Sequence, residues 1–300
     1  MIKLAPDRHQ FEPTGGVSSA LYDEPYFLTA CEGCREFAES GGRELSQRLA
    51  EAFAVAAVEP GMQVLDVGSG RGEIVQHCVR LGAKAYGVDY ASVANRLAVQ
   101  RLAVAGSTDP QKTISQGDAQ WLPFPDRSFD RVLMFDIVEH LFPWQLERAL
   151  EEAHRVLRDE GRLIVHTAPN RWYDRYAYPL VRLYRTLTGE GSKYPPNPRA
   201  IIPANLLVHV NEQDLIRLPR ALRQAGFSCQ AWLASPPQDR QEGWLLAAAR
   251  WILFEMPPFR WFFQRELYAV AWKRDYVGSR PFRPRWGHKR GHEQWQAGVR

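Results

Sequence analysis

The chain has 300 residues, of which 45% are hydrophobic and 24% charged, and its formal net charge is +4. This composition is typical of a globular protein and excludes a disordered chain or a collagen-like repeat. Four cysteines are too few for a disulfide scaffold of this length, so we expect a reducing, cytoplasmic setting.

The positive charge is concentrated at the C-terminus. Residues 273–300 contain eight basic and two acidic side chains, so the rest of the chain is slightly acidic. We therefore expect no nucleic-acid partner, and we predict a basic, flexible tail over residues 276–300. No run of about eighteen uncharged apolar residues is present, so we expect no membrane-spanning helix. Residues 1–10 have no apolar segment and predict no secretory signal.

Along the first 59 residues, apolar side chains spaced by three and four predict amphipathic helices at 32–39 and 44–58. We predict that residues 1–59 form a helical and aromatic lid.

Between residues 60 and 170, short apolar runs alternate with helical patterns. The predicted strands are 63–67, 83–88, 113–116, 131–135 and 162–167, and the predicted helices are 72–81, 92–103 and 145–157. This alternation predicts a parallel sheet with helices on both faces, which binds ligands at the carboxyl ends of its strands.

Two long insertions interrupt the second half of the chain. Residues 171–207 are rich in tyrosine, and residues 235–266 are rich in Trp and Phe. Connections of this length are usually functional, so we predict that both shape the substrate pocket. The remainder of 208–275 is predicted to complete the core, with a helix N-capped by Asn211 and strands at 227–233 and 268–273.

The first predicted strand leads into the run VLDVGSGRGE at residues 64–73. Its glycines let the backbone turn sharply and let a ligand approach the main chain closely. Glu73 stands where a dinucleotide fingerprint requires glycine, which argues against a pyrophosphate cofactor. An ammonium-bearing cofactor suits this loop better, because Asp66 attracts a cation.

Acidic residues also follow the next three strands. Asp89 is suited to accept both hydroxyls of a ribose, and Asp118 is suited to accept from an adenine amine. Asp136 belongs to the run FDIVEHL at residues 135–141. One acid at a strand end is common, but four on successive strands of one sheet are a specific signal.

Residues 61–170 resemble a class I S-adenosylmethionine-dependent methyltransferase of the small-molecule type. The resemblance rests on VLDVGSGRGE, on VD at 88–89, GDA at 117–119, DRSFD at 126–130, EHL at 139–141 and RVLRDEGRL at 155–163. It implies an α/β fold with a Rossmann-like, doubly wound, seven-stranded sheet that is mostly parallel, has an antiparallel last strand and carries helical and aromatic lid insertions. The run LYDEPYF at 21–27 resembles the aromatic lid of such enzymes.

The resemblance implies S-adenosylmethionine as cofactor, with S-adenosylhomocysteine as its product. The implied cofactor-binding residues lie in the lid or at strand ends and are Tyr22, Tyr26, Asp66, Gly68, Ser69, Gly70, Gly72, Asp89, Tyr90, Asp118, Ala119, Phe135 and Asp136. Aromatic rings among them are suited to hold the sulfonium cation.

A general base is needed only when the acceptor is a hydroxyl or a thiol. His140 is the predicted catalytic residue, because histidine titrates near neutrality; alternatively it packs or caps the helix that begins near Pro143. The predicted substrate-binding residues are Trp172, Tyr173, Tyr176 and His209. No metal site is predicted, since Cys31 and Cys34 form a single CxxC without a second pair.

We therefore expect methylation of a small-molecule acceptor, with O-methylation of a natural product or sugar-bearing substrate as the leading hypothesis. One alternative is a membrane-peripheral enzyme that methylates a lipid-linked sugar or quinone, with 244–263 and the basic tail on anionic lipid. The other is a non-catalytic module that only binds S-adenosylmethionine. The sequence leaves open the attacked atom, the use of a base and the formation of a homodimer.

Overall fold

The structure is a computed structural model that describes residues 16–106, 109–235 and 243–275. The predicted basic tail at 276–300 lies outside the described residues, as do the first 15 residues of the predicted lid. None of the helices in the described ranges is both long enough and apolar enough to cross a membrane.

A seven-stranded sheet forms the centre of the described structure. Its strands are β1 (Gln63–Val67), β2 (Lys84–Asp89), β3 (Ile114–Gln116), β4 (Phe129–Phe135), β5 (Leu157–Thr167), β6 (Phe227–Ala234) and β7 (Glu266–Lys273). They lie in the order β3-β2-β1-β4-β5-β7-β6. The first five are parallel, and β7 runs antiparallel between β5 and β6. The predicted Rossmann-like α/β fold with an antiparallel last strand is confirmed.

Helices cover both faces of the sheet and build the insertions. The α-helices are α1 (Cys34–Ser40), α2 (Gln47–Ala56), α3 (Glu73–Arg80), α4 (Ser92–Val104), α5 (Pro110–Thr113), α6 (Pro143–Val156), α7 (Tyr178–Leu187), α8 (Asn205–Val208), α9 (Arg217–Gln224), α10 (Trp244–Glu255) and α11 (Phe259–Phe263). Shorter 3₁₀ or π turns occupy Ser19–Leu21, Tyr26–Ala30, Val138–His140, Tyr173–Ala177, Gly191–Lys193 and Pro198–Ile201.

Two hydrophobic clusters hold the sheet between its helical layers. Successive side chains of a strand point to opposite faces, so Leu65 enters one cluster and Val64 the other. The first cluster includes Leu150 of α6, and the second includes Phe53 of α2 and Ile74 of α3. Burial on both faces explains why the central strands read as nearly continuous apolar runs.

The boundary between α6 and β5 differs from the prediction. The helix ends at Val156 and the strand begins at Leu157, five residues before the predicted start. Leu157 pairs with Phe129, and the register then shifts before the pairing of Arg131 with Arg162. A Cβ added at Gly161 would lie 3.0 Å from the carbonyl oxygen of Phe129. The polar residues 158–160 resemble a turn in the sequence, but in the structure they belong to the first part of β5.

The predicted helix at Asn211 was wrong. Residues 211–214 are not helical, and α9 begins at Arg217. The carboxylate of Asp214 caps this helix by accepting from the backbone nitrogens of Ile216 and Arg217 at 2.8 Å. The backbone nitrogens of Val210 and Asn211 instead donate to the carbonyl of Glu139. This contact fixes the segment after α8 against the turn that follows β4.

The two insertions pack together. Tyr173 and Tyr178 share an apolar cluster with Phe263, and the half-buried Leu253 and Phe254 pack against it. We use the term helical cap for residues 171–207 together with residues 243–263. Segments that are separate in the sequence therefore form one structural unit beside the sheet.

Candidate active site

The glycine-rich loop connects β1 to α3 at the carboxyl end of the sheet. Gly68 and Gly70 both have positive φ, and a Cβ at Gly68 would lie 2.8 Å from the side chain of Ile137. The carboxylate of Asp89 accepts from the backbone nitrogens of Gly70 at 3.0 Å and Ala91 at 2.9 Å. Ser69 Oγ is buried and has no hydrogen-bond partner among the described residues. The loop is therefore hydrogen-bonded to the end of β2, and its Ser69 hydroxyl is available to bind a ligand.

Two buried acids lie at this edge of the sheet. Burial, followed by repulsion from Asp89 and Glu73, raises the pKa of Asp66 to about 8. Burial also raises the pKa of Asp89 to about 6, although backbone N–H groups lower it in part. Removal from water favours the neutral form of a carboxyl, so these acids favour a ligand that brings positive charge or hydroxyl donors.

Arg71 attaches the N-terminal segment to the glycine-rich loop. It is 1% exposed and pairs with Glu73 at 2.9 Å. Its guanidinium also donates to the backbone carbonyls of Phe27 and Glu32. Glu73, the residue that departs from the dinucleotide fingerprint, thus neutralises the arginine that holds the N-terminal segment.

Aromatic side chains of the N-terminal segment lie at the same edge. The ring of Tyr22 lies 5.0 Å from that of Tyr26 and 5.5 Å from that of Tyr90, both in edge-to-face geometry. The Tyr22 hydroxyl forms a hydrogen bond of 3.0 Å with Nδ1 of His140. Tyr22 therefore connects the end of β2, where Asp89 lies, with the turn after β4.

The turn after β4 begins in a buried ionic network. Asp136, which has φ +51°, is ion-paired with Arg48 and lies 3.2 Å from Nδ1 of His166. Glu266 lies 2.9 Å from Nε2 of His166 and 3.1 Å from Arg48. We call Arg48, Asp136, His166 and Glu266 the ionic network.

The ionic network sets the protonation states of its members. Burial opposes charge on Asp136, but Arg48 and His166 outweigh it and hold the pKa of Asp136 well below its usual range. Burial likewise lowers the pKa of His166, but Asp136 and Glu266 outweigh it and raise that pKa to about 9. The network is therefore charged and internally balanced at neutral pH.

Three other side chains meet next to this network, and we call them the imidazole cluster: Glu139, His140 and His209. One potential ligand atom from each lies within 4.8 Å of those from the other two. The two imidazole rings are 4.8 Å apart with an interplanar angle of 76°. His209 and Glu139 are buried, whereas His140 is partly exposed.

The imidazole cluster is neutral where the ionic network is charged. Burial lowers the pKa of His140 to about 4, and the negative charge of Asp136 offsets only part of this effect. Burial and the neighbouring His140 lower the pKa of His209 to about 3. Burial and Asp136 raise the pKa of Glu139 to about 8. Both imidazoles therefore offer nitrogen lone pairs at neutral pH.

Comparison with known proteins identifies the core. Residues 65–165 match the family model for a methyltransferase domain. The chain is 28% identical over 190 residues to the demethylmenaquinone methyltransferase of Tropheryma whipplei (strain Twist), covering 60% of this chain and 72% of that protein. A ubiquinone/menaquinone biosynthesis C-methyltransferase of Bordetella avium is 32% identical over 142 residues, which cover 46% of this chain and 52% of that one.

A solved structure shows the same fold. The structure of an S-adenosylmethionine-dependent methyltransferase from Archaeoglobus fulgidus superimposes with a TM-score of 0.50 at 18% identity, covering 79% of this chain and 98% of that one. Residues 65–165 therefore form a methyltransferase domain of the class I S-adenosylmethionine-dependent type. This methyltransferase uses S-adenosylmethionine as its cofactor.

The residues at the sheet edge fit that cofactor. Asp89 keeps lone pairs free for ribose hydroxyls, and the buried Ser69 Oγ lacks a partner in the part of the chain that the structure describes. Burial raises the pKa of Asp66, so the ammonium group of S-adenosylmethionine would stabilise the ionised form of this carboxyl. When bound, S-adenosylmethionine supplies an electrophilic methyl group on a sulfonium.

The structure places the other predicted cofactor residues as follows. The carboxylate of half-buried Asp118 accepts from the backbone and side-chain nitrogens of Gln120, and Ala119 is buried. A Cβ at Gly72 would lie 2.9 Å from Ala98, so this glycine permits close packing of the loop on α4. Phe135 packs in the core, 6.4 Å from the ring of His166. Roles for these residues in cofactor binding remain predictions.

The predicted substrate residues lie in two places. His209 joins His140 in the imidazole cluster. Trp172 and Tyr176 instead pack on Phe262, at ring distances of 6.0 and 5.6 Å, and Tyr173 packs on Tyr178. Trp172 and Tyr176 therefore contact the second part of the helical cap, whereas the contact of Tyr173 with Tyr178 lies within the first part. A part of these three aromatic residues in substrate binding remains a prediction.

Sequence reasoning missed several residues around the site. The sequence pattern assigns no role to Glu139, Arg48 or Glu266. The adjacent Glu139 and His140 carried a usable signal, because a carboxylate beside an imidazole after a strand is a candidate ligand pair. Nothing in the sequence pairs Arg48 with Asp136, since the two are 88 residues apart.

Proposed function

We propose that this methyltransferase transfers a methyl group to an oxygen of a small-molecule acceptor bound between the lid and the imidazole cluster. The contact between Tyr22 and His140 carries the proposal, because it connects the edge with Asp89 to two neutral imidazoles. His140 is partly exposed, so an acceptor hydroxyl can reach it from the mouth of the site.

The chain's own groups suit an oxygen nucleophile. A hydroxyl loses its proton as it is methylated, so it gains from a nearby lone pair that can accept a hydrogen bond. His140 and His209 provide such lone pairs in a water-poor position. Tyr22 fixes the ring of His140, and positioning of this kind supplies much of the rate in a reaction between oriented partners.

Identification of the product tests this proposal. The protein is incubated with methyl-labelled S-adenosylmethionine and a panel of phenols, glycosides and hydroxylated quinones, and products are examined by mass spectrometry and NMR. A new methoxy signal that is lost in His140→Ala supports O-methylation. A carbon-bound methyl overturns oxygen as the acceptor, and the absence of any product together with retained cofactor binding favours the non-catalytic module.

A second candidate is methylation of a lipid-like acceptor at a membrane surface. The helical cap exposes large apolar side chains, namely Leu180 (59%), Leu183 (58%), Leu187 (78%), Trp244 (76%), Leu246 (57%) and Trp251 (54%). Apolar side chains beside arginines suit the boundary of an anionic bilayer, and α7 contains two arginines and no acid. The two relatives described above are quinone methyltransferases by name, which agrees with a lipid-like acceptor.

Vesicle co-sedimentation tests the second candidate. Binding to phosphatidylcholine vesicles that contain phosphatidylglycerol, weakened by salt and by Leu183→Glu, supports it. Equal recovery in the supernatant with and without vesicles rejects it. Val104→Glu is the matched control, because Val104 is 91% exposed on α4 and lies outside the helical cap.

A further inference from the structure

The imidazole cluster is built from two distant parts of the chain. Glu139 and His140 lie in the turn after β4, and His209 follows α8. Two hydrogen bonds, from Val210 and Asn211 to the carbonyl of Glu139, hold these parts together. The convergence is therefore fixed by backbone contacts and does not depend on the conformation of an exposed loop.

Two features of the cluster indicate a missing ligand. His209 is 7% exposed, and its Nδ1 has no hydrogen-bond partner in the described part of the chain. Glu139 is 1% exposed, and no lysine or arginine among the described residues is ion-paired with it. A buried polar atom is normally paired, and a buried carboxyl without a cationic partner is held in its neutral form. A bound cation would pair with His209 Nδ1 and stabilise the ionised form of Glu139.

We propose that Glu139, His140 and His209 bind a divalent first-row transition-metal cation, which holds the acceptor oxygen during methyl transfer. Two imidazoles and one carboxylate are typical ligands for iron, cobalt or zinc and differ from the all-oxygen sets of magnesium and calcium. Three protein ligands leave at least one position of the ion open for the acceptor.

The observed distances allow such a site. Metal bonds of about 2.0–2.2 Å place tetrahedral ligand atoms roughly 3.3–3.5 Å from one another. The three ligand atoms lie within 4.8 Å of one another in the structure. Side-chain rotations that move these atoms by about 1 Å would bring them to the separations that a metal ion requires. Deformation on this scale is small for side chains on fixed backbone segments.

Neighbouring groups orient two of the ligands. The hydroxyl of Thr167 donates to Oε2 of Glu139 at 2.8 Å, and Tyr22 contacts His140. Hydrogen bonds of this kind commonly hold metal ligands in position. Asp136 lies three residues before Glu139, but it is engaged by Arg48 and His166 and adds negative charge without joining the set.

The cation would act on the acceptor before methyl transfer. An acceptor hydroxyl would bind at the open position, and its O–H bond would break, with the proton passing to solvent water and the electron pair staying on oxygen. In this metal-bound form the lone pairs of His140 and His209 would hold the cation and would not accept the proton. A bound cation favours this ionisation because it stabilises the negative charge. This role rests on the proposed function, whereas cation binding itself does not.

Cobalt titration of the chelator-treated full chain tests the proposal. Co²⁺ is added and its visible absorption is recorded for the wild type, His209→Ala, His209→Gln and Glu139→Gln. We expect one Co²⁺ per chain in the wild type, at least tenfold weaker binding in the variants, and displacement by Zn²⁺. His154→Ala is the matched control, because it removes a histidine that packs on Phe227 outside the cluster.

The same samples separate failure of this site from failure of the proposed function. Thermal shifts with S-adenosylhomocysteine show whether each variant is folded and binds the product of the cofactor. Cobalt binding that is equal in wild type and both His209 variants overturns the metal site, whatever the activity. Loss of Co²⁺ binding with an unchanged S-adenosylhomocysteine shift supports it, even when no acceptor oxygen is methylated.

Discussion

The ionic network and the imidazole cluster lie on either side of one short turn, yet they differ in charge. Asp136 and Glu139 are three residues apart in that turn. Asp136 is paired with the positive charges of Arg48 and His166, whereas Glu139 accepts a hydrogen bond from the hydroxyl of Thr167. As a result the pKa of Asp136 is lowered and that of Glu139 is raised, although both carboxyls are removed from water.

This difference separates a structural role from a functional one. A buried ionic group with every charge paired stabilises one arrangement of the chain, and removing one partner is strongly destabilising. A buried cluster with an unused nitrogen and a carboxyl that has no cationic partner contributes little to stability and is typical of a ligand site. Arg48 links α2 to the turn, so the network also explains how the N-terminal segment is fixed to the sheet.

Removal of His140 should have the largest effect on activity. We expect His140→Ala to lower kcat by about 10²–10⁴-fold, because a group that assists loss of the acceptor proton typically contributes that much. Its melting temperature and its shift with S-adenosylhomocysteine should stay near those of the wild type. Steady-state kinetics and thermal unfolding measure the two effects, and a stability loss that accounts for the lost activity would contradict a functional role.

Removal of Arg48 should show the opposite pattern. We expect Arg48→Met to lower the free energy of unfolding by about 3 kcal/mol, because it leaves Asp136 and Glu266 without their guanidinium partner. Arg96→Met is the control, since the pair of Arg96 with Glu24 is about half exposed and should contribute less than about 1 kcal/mol. Urea unfolding measures the loss of stability in both variants. Equal urea midpoints for Arg48→Met and Arg96→Met would refute a structural role for the ionic network.

Alkaline pH should weaken the network. The folded pKa of His166 is about 9 against an ordinary value of 6.5, so its contribution is complete below pH 6.5 and is lost as the pH rises through 9. The difference in unfolding free energy between wild type and His166→Gln should therefore shrink by a few kcal/mol over that window. Urea unfolding at several pH values tests this, and a constant difference would mean that His166 is neutral in the folded protein.

Substitutions in the exposed part of the helical cap should have the smallest effect. Trp251 is 54% exposed, so Trp251→Ala should change the free energy of unfolding by at most about 1 kcal/mol. Turnover of a water-soluble acceptor should be unchanged, because the residue is outside both clusters. A large loss of turnover would show that the cap acts on the site directly.

Much of the cofactor side could be predicted from sequence because its signals are local. The glycine-rich run and Asp89 each follow a strand that short-range periodicity identifies, and parallel topology brings their ends to one edge. The start of β5 could not be predicted in this way, because it lacks a local signal. Residues 158–160 are polar, and this part of the strand is defined by the pairing of Leu157 with Phe129 in another strand.

The sequence alone indicated an α/β fold with a methyltransferase domain and most of the cofactor loop, because those features depend on neighbouring residues and a repeated strand-helix pattern. Tertiary structure alone decided which acid is charged and which histidines meet. His209 reaches His140 from 69 positions along the chain, and Arg48 reaches Asp136 from 88. Burial and partner charges set their protonation, and both depend on long-range packing that local sequence does not encode.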